Sequence, residues 1–79
     1  MKVLFYGRLA EAIGPELELD AAAPCTIAQL RERLIAQHPA AEALRSRRTR
    51  AVVADALVRD DQLIGAMQTV EFLPPVSGG

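Results

Sequence analysis

The sequence predicts an α+β fold: one mixed sheet with a single main helix packed on one face. Three observations predict it. Alternating apolar runs open and close the chain, KVLFYGR at residues 2–8 and TVEFL at 69–73. One strongly periodic helical stretch, TIAQLRERLIAQH at 26–38, lies between them. A helical crossover between two strand pairs lets the first and last strands lie side by side and parallel. The 79 residues suffice for one domain. A domain of that size buries only about 60% of the surface its unfolded chain exposes, so its core is thin.

The elements follow in order. In KVLFYGR, β-branched and aromatic residues favour a strand, and alternation sets Val3 and Phe5 on one face with Leu4 and Tyr6 on the other. Residues 9–13, LAEAI, suit a helical turn that Gly14-Pro15 breaks. ELELD at 16–20 alternates cleanly, with Leu17 and Leu19 inward, and reads as a half-buried strand. AAAPC at 21–25 reads as a connector. In the main helix Ile27, Leu30, Leu34 and Ile35 form the apolar stripe. Thr26 or Cys25 stands where an N-cap belongs, and Gln29 completes a capping box with Thr26. Pro39 ends the helix, because the residue before a proline avoids helical backbone. AAEALRS at 40–46 is compatible with a second short helix. RAVVADALV, 50–58, reads as a strand or a bent hairpin, RDDQ at 59–62 as a turn, and TVEFL as the last strand, with a short strand possible before it. Pro74-Pro75 ends the sheet because proline supplies no ladder donor.

Composition excludes several function classes. About half the residues are apolar and a quarter charged, the balance of a globular protein. A net charge of −1 gives no general attraction to nucleic acid or to an anionic membrane. The opening apolar run is too short for a signal peptide, and nothing approaches the roughly 20 apolar residues of a membrane span. The single cysteine, Cys25, has no internal disulfide partner, which fits a reducing, cytoplasmic setting. Cys25 also lacks a neighbouring histidine base and reads as structural. His38, alone at a helix end, is not a metal site. Arg45, Arg47, Arg48 and Arg50 form a basic cluster without interleaved aromatics, which favours a solvated loop or an acidic protein partner over nucleic acid.

The distinctive stretch is FLPPVSGG at 72–79. Two prolines hold an extended exit from the sheet, and two glycines add no side chain to limit backbone approach. Residues 1–73 then make the domain and 74–79 a tail. Six residues reach at most about 20 Å. Such an arm can enter a narrow channel in another protein and place the Gly79 carboxylate inside it. A carboxylate is a poor acyl electrophile until activated, for example by adenylation with ATP. Beside the tail, outward alternation places Leu4, Tyr6 and Leu73 in an apolar patch, with Leu57 extending it, and such a patch marks a partner surface. The competing expectation is that residues 60–68 cover these side chains as a second small core.

KVLFYGRLAEAIG, the TIAQLRERL helix and FLPPVSGG together resemble the small subunit of molybdopterin synthase, a sulfur carrier of the ubiquitin-like β-grasp family. The resemblance covers nearly the whole chain. It implies a β-grasp fold and a terminal Gly79 that an E1-like adenylyltransferase activates with ATP and a sulfur donor converts to a thiocarboxylate. The sulfur then passes to a cyclic pyranopterin precursor inside the large subunit. Gly78 gives passage, and Tyr6, Leu57, Leu73, Pro74, Pro75 and Val76 contact partners. The chain itself binds no cofactor and is the noncatalytic subunit. The thiazole sulfur carrier of thiamin synthesis, a ubiquitin-like modifier and a noncatalytic binding module remain alternatives. Two positions depart from the family pattern: Ala54 replaces a frequent asparagine after the middle strand, and GAMQT at 65–69 lacks the usual acidic turn.

Overall fold

Two strands from opposite ends of the sequence lie side by side at the centre of the sheet. In the computed structural model, which describes residues 1–19 and 24–75, β1 (Lys2–Phe5) runs parallel to β7 (Thr69–Leu73). β2 (Glu16–Glu18) pairs antiparallel on the far side of β1. β4 (Arg50–Val53) pairs antiparallel with β7 and with β5 (Ala56–Val58), giving the order β2-β1-β7-β4-β5. A separate two-stranded ribbon joins β3 (Cys25–Thr26) to β6 (Leu63–Ile64). Three helical segments join these strands among the described residues: α1 (Gly7–Ile13), α2 (Ile27–Gln37) and a 3-10 helix at Pro39–Arg45. This is the expected mixed sheet with the main helix on one face, a ubiquitin-like β-grasp fold.

Alternation decides what enters the core. Val3, Phe5, Val70 and Phe72 are buried, as are Ala51 and Val53 on β4. They meet Ile27, Leu30, Leu34 and Ile35 of α2, with Leu9, Ala41 and Leu44 closing the sides. Phe5 and Phe72, opposite each other on the parallel pair, stack with ring centroids 6.0 Å apart. α2 starts where its sequence signal says. Thr26 Oγ1 accepts from Gln29 N at 3.2 Å, and Gln29 Oε1 accepts from Thr26 N at 2.9 Å, a complete capping box.

Several local expectations are corrected. Cys25 is not part of a connector: it is buried and paired with Ile64 in β3. The LAEAI turn begins two residues earlier, as helix α1 from Gly7. The segment after Pro39 closes with the tighter 3-10 bonding that a short proline-initiated stretch favours. β2 ends at Glu18, although Leu19 still turns inward and donates its N–H to Met1 O. Residues 50–58 form the hairpin, with Ala54 and Asp55 as its two-residue turn at φ of 52° and 66°. That left-handed pair matches the twist of the flanking strands, at a cost for residues that carry a Cβ.

The largest surprise is inside. Arg31 lies within the apolar stripe of α2 and is buried. Its Nε donates to Asp60 Oδ1 at 3.1 Å, Nη1 to the carbonyls of Leu44 and Ser46, and Nη2 to Thr49 O at 2.7 Å. The guanidinium also sits 5.4 Å from the centre of the Phe72 ring. A buried charge with this many partners is tolerated; removing them would leave it costly. Here it ties α2 to the segment entering β4.

Candidate functional site: the open sheet face and the tail exit

The face of the sheet away from α2 stays open. Residues 60–68 do not cover it, contrary to the second-core expectation. They fold against the start of α2 instead: Ile27 N donates to Gln62 O and Ala28 N to Asp60 O. Register sets the open face in rows. Glu16, Leu4, Glu71, Val52 and Leu57 stand opposite one another across five strands. In the next row Arg50 stands opposite Leu73, and continuing the β1–β7 register brings Tyr6 beside Leu73.

The structure therefore brings Leu4, Tyr6 and Leu73 together, and Val52 links them to Leu57. Tyr6 is 42% exposed and Leu57 62%. Leu4, Val52 and Leu73 are half-buried, largely by their neighbours in the sheet. Glu71 sits within this apolar ground, and Lys2 and Glu16 form an ion pair of 3.8 Å at the β2 edge. The Tyr6 phenol is pushed above its ordinary range by partial desolvation, then by the negative charge of Glu71 and a hydrogen bond to it. The surface is thus apolar with one carboxylate at its centre, a feature the alternation argument did not anticipate.

The tail leaves from the middle of this sheet. Pro74 and Pro75 follow β7 directly, Pro74 half-buried and Pro75 exposed. Pro74 packs on Gly7, the first residue of α1. Gly7 adopts φ +57°, and a Cβ there would stand 2.9 Å from Pro74 Cγ. Gly7 is therefore required twice, by its left-handed backbone and by the proline lying on it. Sequence reasoning missed this residue. A glycine near the end of the run KVLFYGR was the available sign, but its partner lies 67 positions away and only the parallel pairing brings it near. Arg31 was missed as well, although a cation at the third place of the stripe Ile27, Leu30, Arg31, Leu34 was visible. Val76, Gly78 and Gly79 lie outside the described residues.

The other candidates are placed without chemistry. Cys25 is buried with no disulfide partner. His38 serves as the C-cap of α2, its N–H donating to Leu34 O. Among the described residues no His, Cys, Asp and Glu side chains gather into a metal-binding group. No helix among them is long and apolar enough to cross a membrane.

Comparisons with known proteins agree with this architecture. No curated protein sequence matches the chain. Among solved structures, SAMP1 from Haloferax volcanii superposes with a TM-score of 0.82 at 22% identity, over 99% of this chain and 97% of that one. A second crystal structure, of H. volcanii small archaeal modifier protein 1, gives 0.81 at 19% identity, over 95% of each chain. At those identities the likeness is one of fold. The sequence itself matches the model of the ThiS family over residues 3–79, a span that includes the sheet from Val3 onward and runs on through both terminal glycines. The chain belongs to the ThiS family of ubiquitin-like sulfur carriers.

Proposed function

We propose that the chain carries sulfur as a thiocarboxylate on Gly79 and delivers it in molybdopterin synthesis. The observation that carries this reading is the placement of the exit. The last strand is central in the sheet, ends at a proline pair seated on Gly7, and leaves beside an open apolar face, in a chain whose family match reaches Gly79. Sulfur carriers of this family generally work with E1-like activating enzymes and partner subunits. The open face with Tyr6, Leu73 and Leu57 would dock on such a protein while Pro74, Pro75 and Val76 direct the glycines into its active site.

The chemistry balances without a catalytic side chain from this chain. The Gly79 carboxylate attacks the α-phosphorus of ATP held by the activating enzyme, and pyrophosphate leaves. A persulfide or sulfide donor attacks the resulting acyl-adenylate and AMP leaves. A persulfide route then needs a thiol to cleave the sulfur–sulfur bond and free the thiocarboxylate. Covalent activation splits one difficult acyl substitution into two easier ones. The molybdopterin assignment rests on the resemblance of FLPPVSGG and the chain length. It is tested by incubating the thiocarboxylated chain with a molybdopterin synthase large subunit and the cyclic pyranopterin precursor.

The carrier step has its own test. Incubation with an E1-like enzyme, ATP and a sulfur donor should raise the intact mass by about 16 Da, one oxygen exchanged for sulfur. Deleting Gly79 withdraws the carboxylate by about 3.5 Å and should abolish that gain with little change in melting temperature. A deletion variant that still acquires sulfur at the normal rate would overturn the reading. Likeness in fold to a protein described as a modifier supports a second reading, attachment of Gly79 to lysines of other proteins. Isopeptide-linked conjugates recovered from cells would favour it.

A further inference from the structure

A cleft at the β4–β5 edge of the sheet lies apart from the apolar patch and the proline exit. We propose that it binds an extended, acidic segment of a partner protein. The cleft encloses about 430 Å³ between the loop preceding β4 and the end of β5. Ala51, Val58 and Thr49 contribute to its lining, Arg47 and Arg59 add positive charge, and Arg50 borders it from the open-face row of β4. These three arginines are exposed, and none forms an ion pair among the described residues. The one carboxylate in the lining, Asp60, is already engaged by the buried Arg31 at 3.1 Å. Asp61 lies just outside, exposed and without an ion pair among the described residues. The cleft therefore gathers exposed arginines around a lining whose one carboxylate is held by Arg31.

Three features select the occupant. The guanidiniums favour carboxylates, with forks that accept them in bidentate geometry. The apolar floor favours small aliphatic side chains between the acids. β5 ends the sheet order, so among the described residues its outer edge has no strand partner and offers backbone groups to an extended chain. Nucleic acid fits less well, because no aromatic side chain lines the cleft to stack on a base. The inference holds whether or not Gly79 carries sulfur.

The full chain should be titrated with a fluorescein-labelled peptide of alternating glutamate and valine, followed by anisotropy and by amide chemical shifts. Parallel arms use the same peptide with glutamine for glutamate, a single-stranded RNA oligonucleotide and inorganic phosphate. The glutamate peptide should bind and shift the amides of Thr49, Ala51 and Val58. Combined Arg47→Glu and Arg59→Glu should weaken it about tenfold or more, and added salt should weaken it too, because open charges are screened within about 10 Å at moderate ionic strength. Arg33→Glu, on exposed α2 surface, should leave it unchanged. If the double charge reversal disturbs folding, Arg47→Gln with Arg59→Gln replaces it. No saturable binding, shifts confined to another face, undiminished binding by the folded double variant, or RNA or phosphate displacing the peptide at equal concentration would each overturn the proposal.

Discussion

β7 carries two opposite surfaces on five residues. Val70 and Phe72 are wholly buried against α2, while Glu71 and Leu73 face the open side with Tyr6 and Leu57 beyond them. Both surfaces are rich in apolar atoms, but only one contributes its full burial to folding. At about 25 cal/mol per Å² removed from water, an aliphatic or aromatic side chain held half in solvent forgoes much of the stabilisation available to it. A domain with a thin core forgoes that where another protein completes the burial. The inward face thus reports on stability, the outward face is the one proposed above for docking, and variants separate the two.

Phe72→Ala should have the largest effect. It deletes the ring that stacks on Phe5 and lies under Arg31, and should cost about 3–5 kcal/mol, a large share of the stability of a small domain. Denaturant titration measures it, and Phe72→Leu gives a milder reading if the alanine variant does not fold. A cost below about 1 kcal/mol for the alanine variant would contradict a packed inner face.

Gly7→Ala tests the point where the tail meets the domain. A left-handed backbone costs about 1–2 kcal/mol once a Cβ is present, and the new methyl also displaces Pro74. Lowered stability with impaired activation of Gly79 is expected. Wild-type stability would show that the Gly7 turn relaxes freely.

Ala54→Asn touches neither face and should stabilise by about 0.5–1 kcal/mol. Asparagine tolerates the φ of 52° better than alanine and suits the first position of this hairpin turn. A fall in melting temperature would mean that the turn depends on something other than backbone conformation.

Tyr6→Asp, at an exposed position, should change stability least, by about 0.5 kcal/mol or less, and Leu73→Asp, at a half-buried one, by about 1 kcal/mol. Their effect should appear in calorimetric binding to the activating enzyme, weakened about tenfold or more by a charge placed in a desolvated interface. Unchanged affinity in a folded variant would remove the patch from the interface. Unfolding would assign these side chains to the core instead.

Much of the fold was legible because its signals were local. Alternation assigned Val3, Phe5, Val70 and Phe72 inward, and the Thr26–Gln29 box marked the start of α2 to the residue. What escaped depended on distant partners. The strand at Cys25 and Thr26 exists because Ile64 and Leu63 lie beside it, and two residues carry no period of their own. Arg31 is buried because four oxygen acceptors from residues 44–60 converge on it. Glu71 enters the open face because register puts it between Leu4 and Val52. Of the candidate site, outward alternation placed Tyr6 and Leu73 correctly, while the seat of Pro74 on Gly7 required the parallel pairing of the chain's two ends.

That pairing has a mechanical consequence. β7 is flanked along its length by β1 on one side and β4 on the other. A partner gripping the tail and drawing it outward pulls roughly along the strand axis. The load then falls on both ladders in shear, so many hydrogen bonds share it at once. An edge strand pulled sideways would instead peel away, breaking one bond at a time. A central strand held by its end resists such a pull better than an edge strand would.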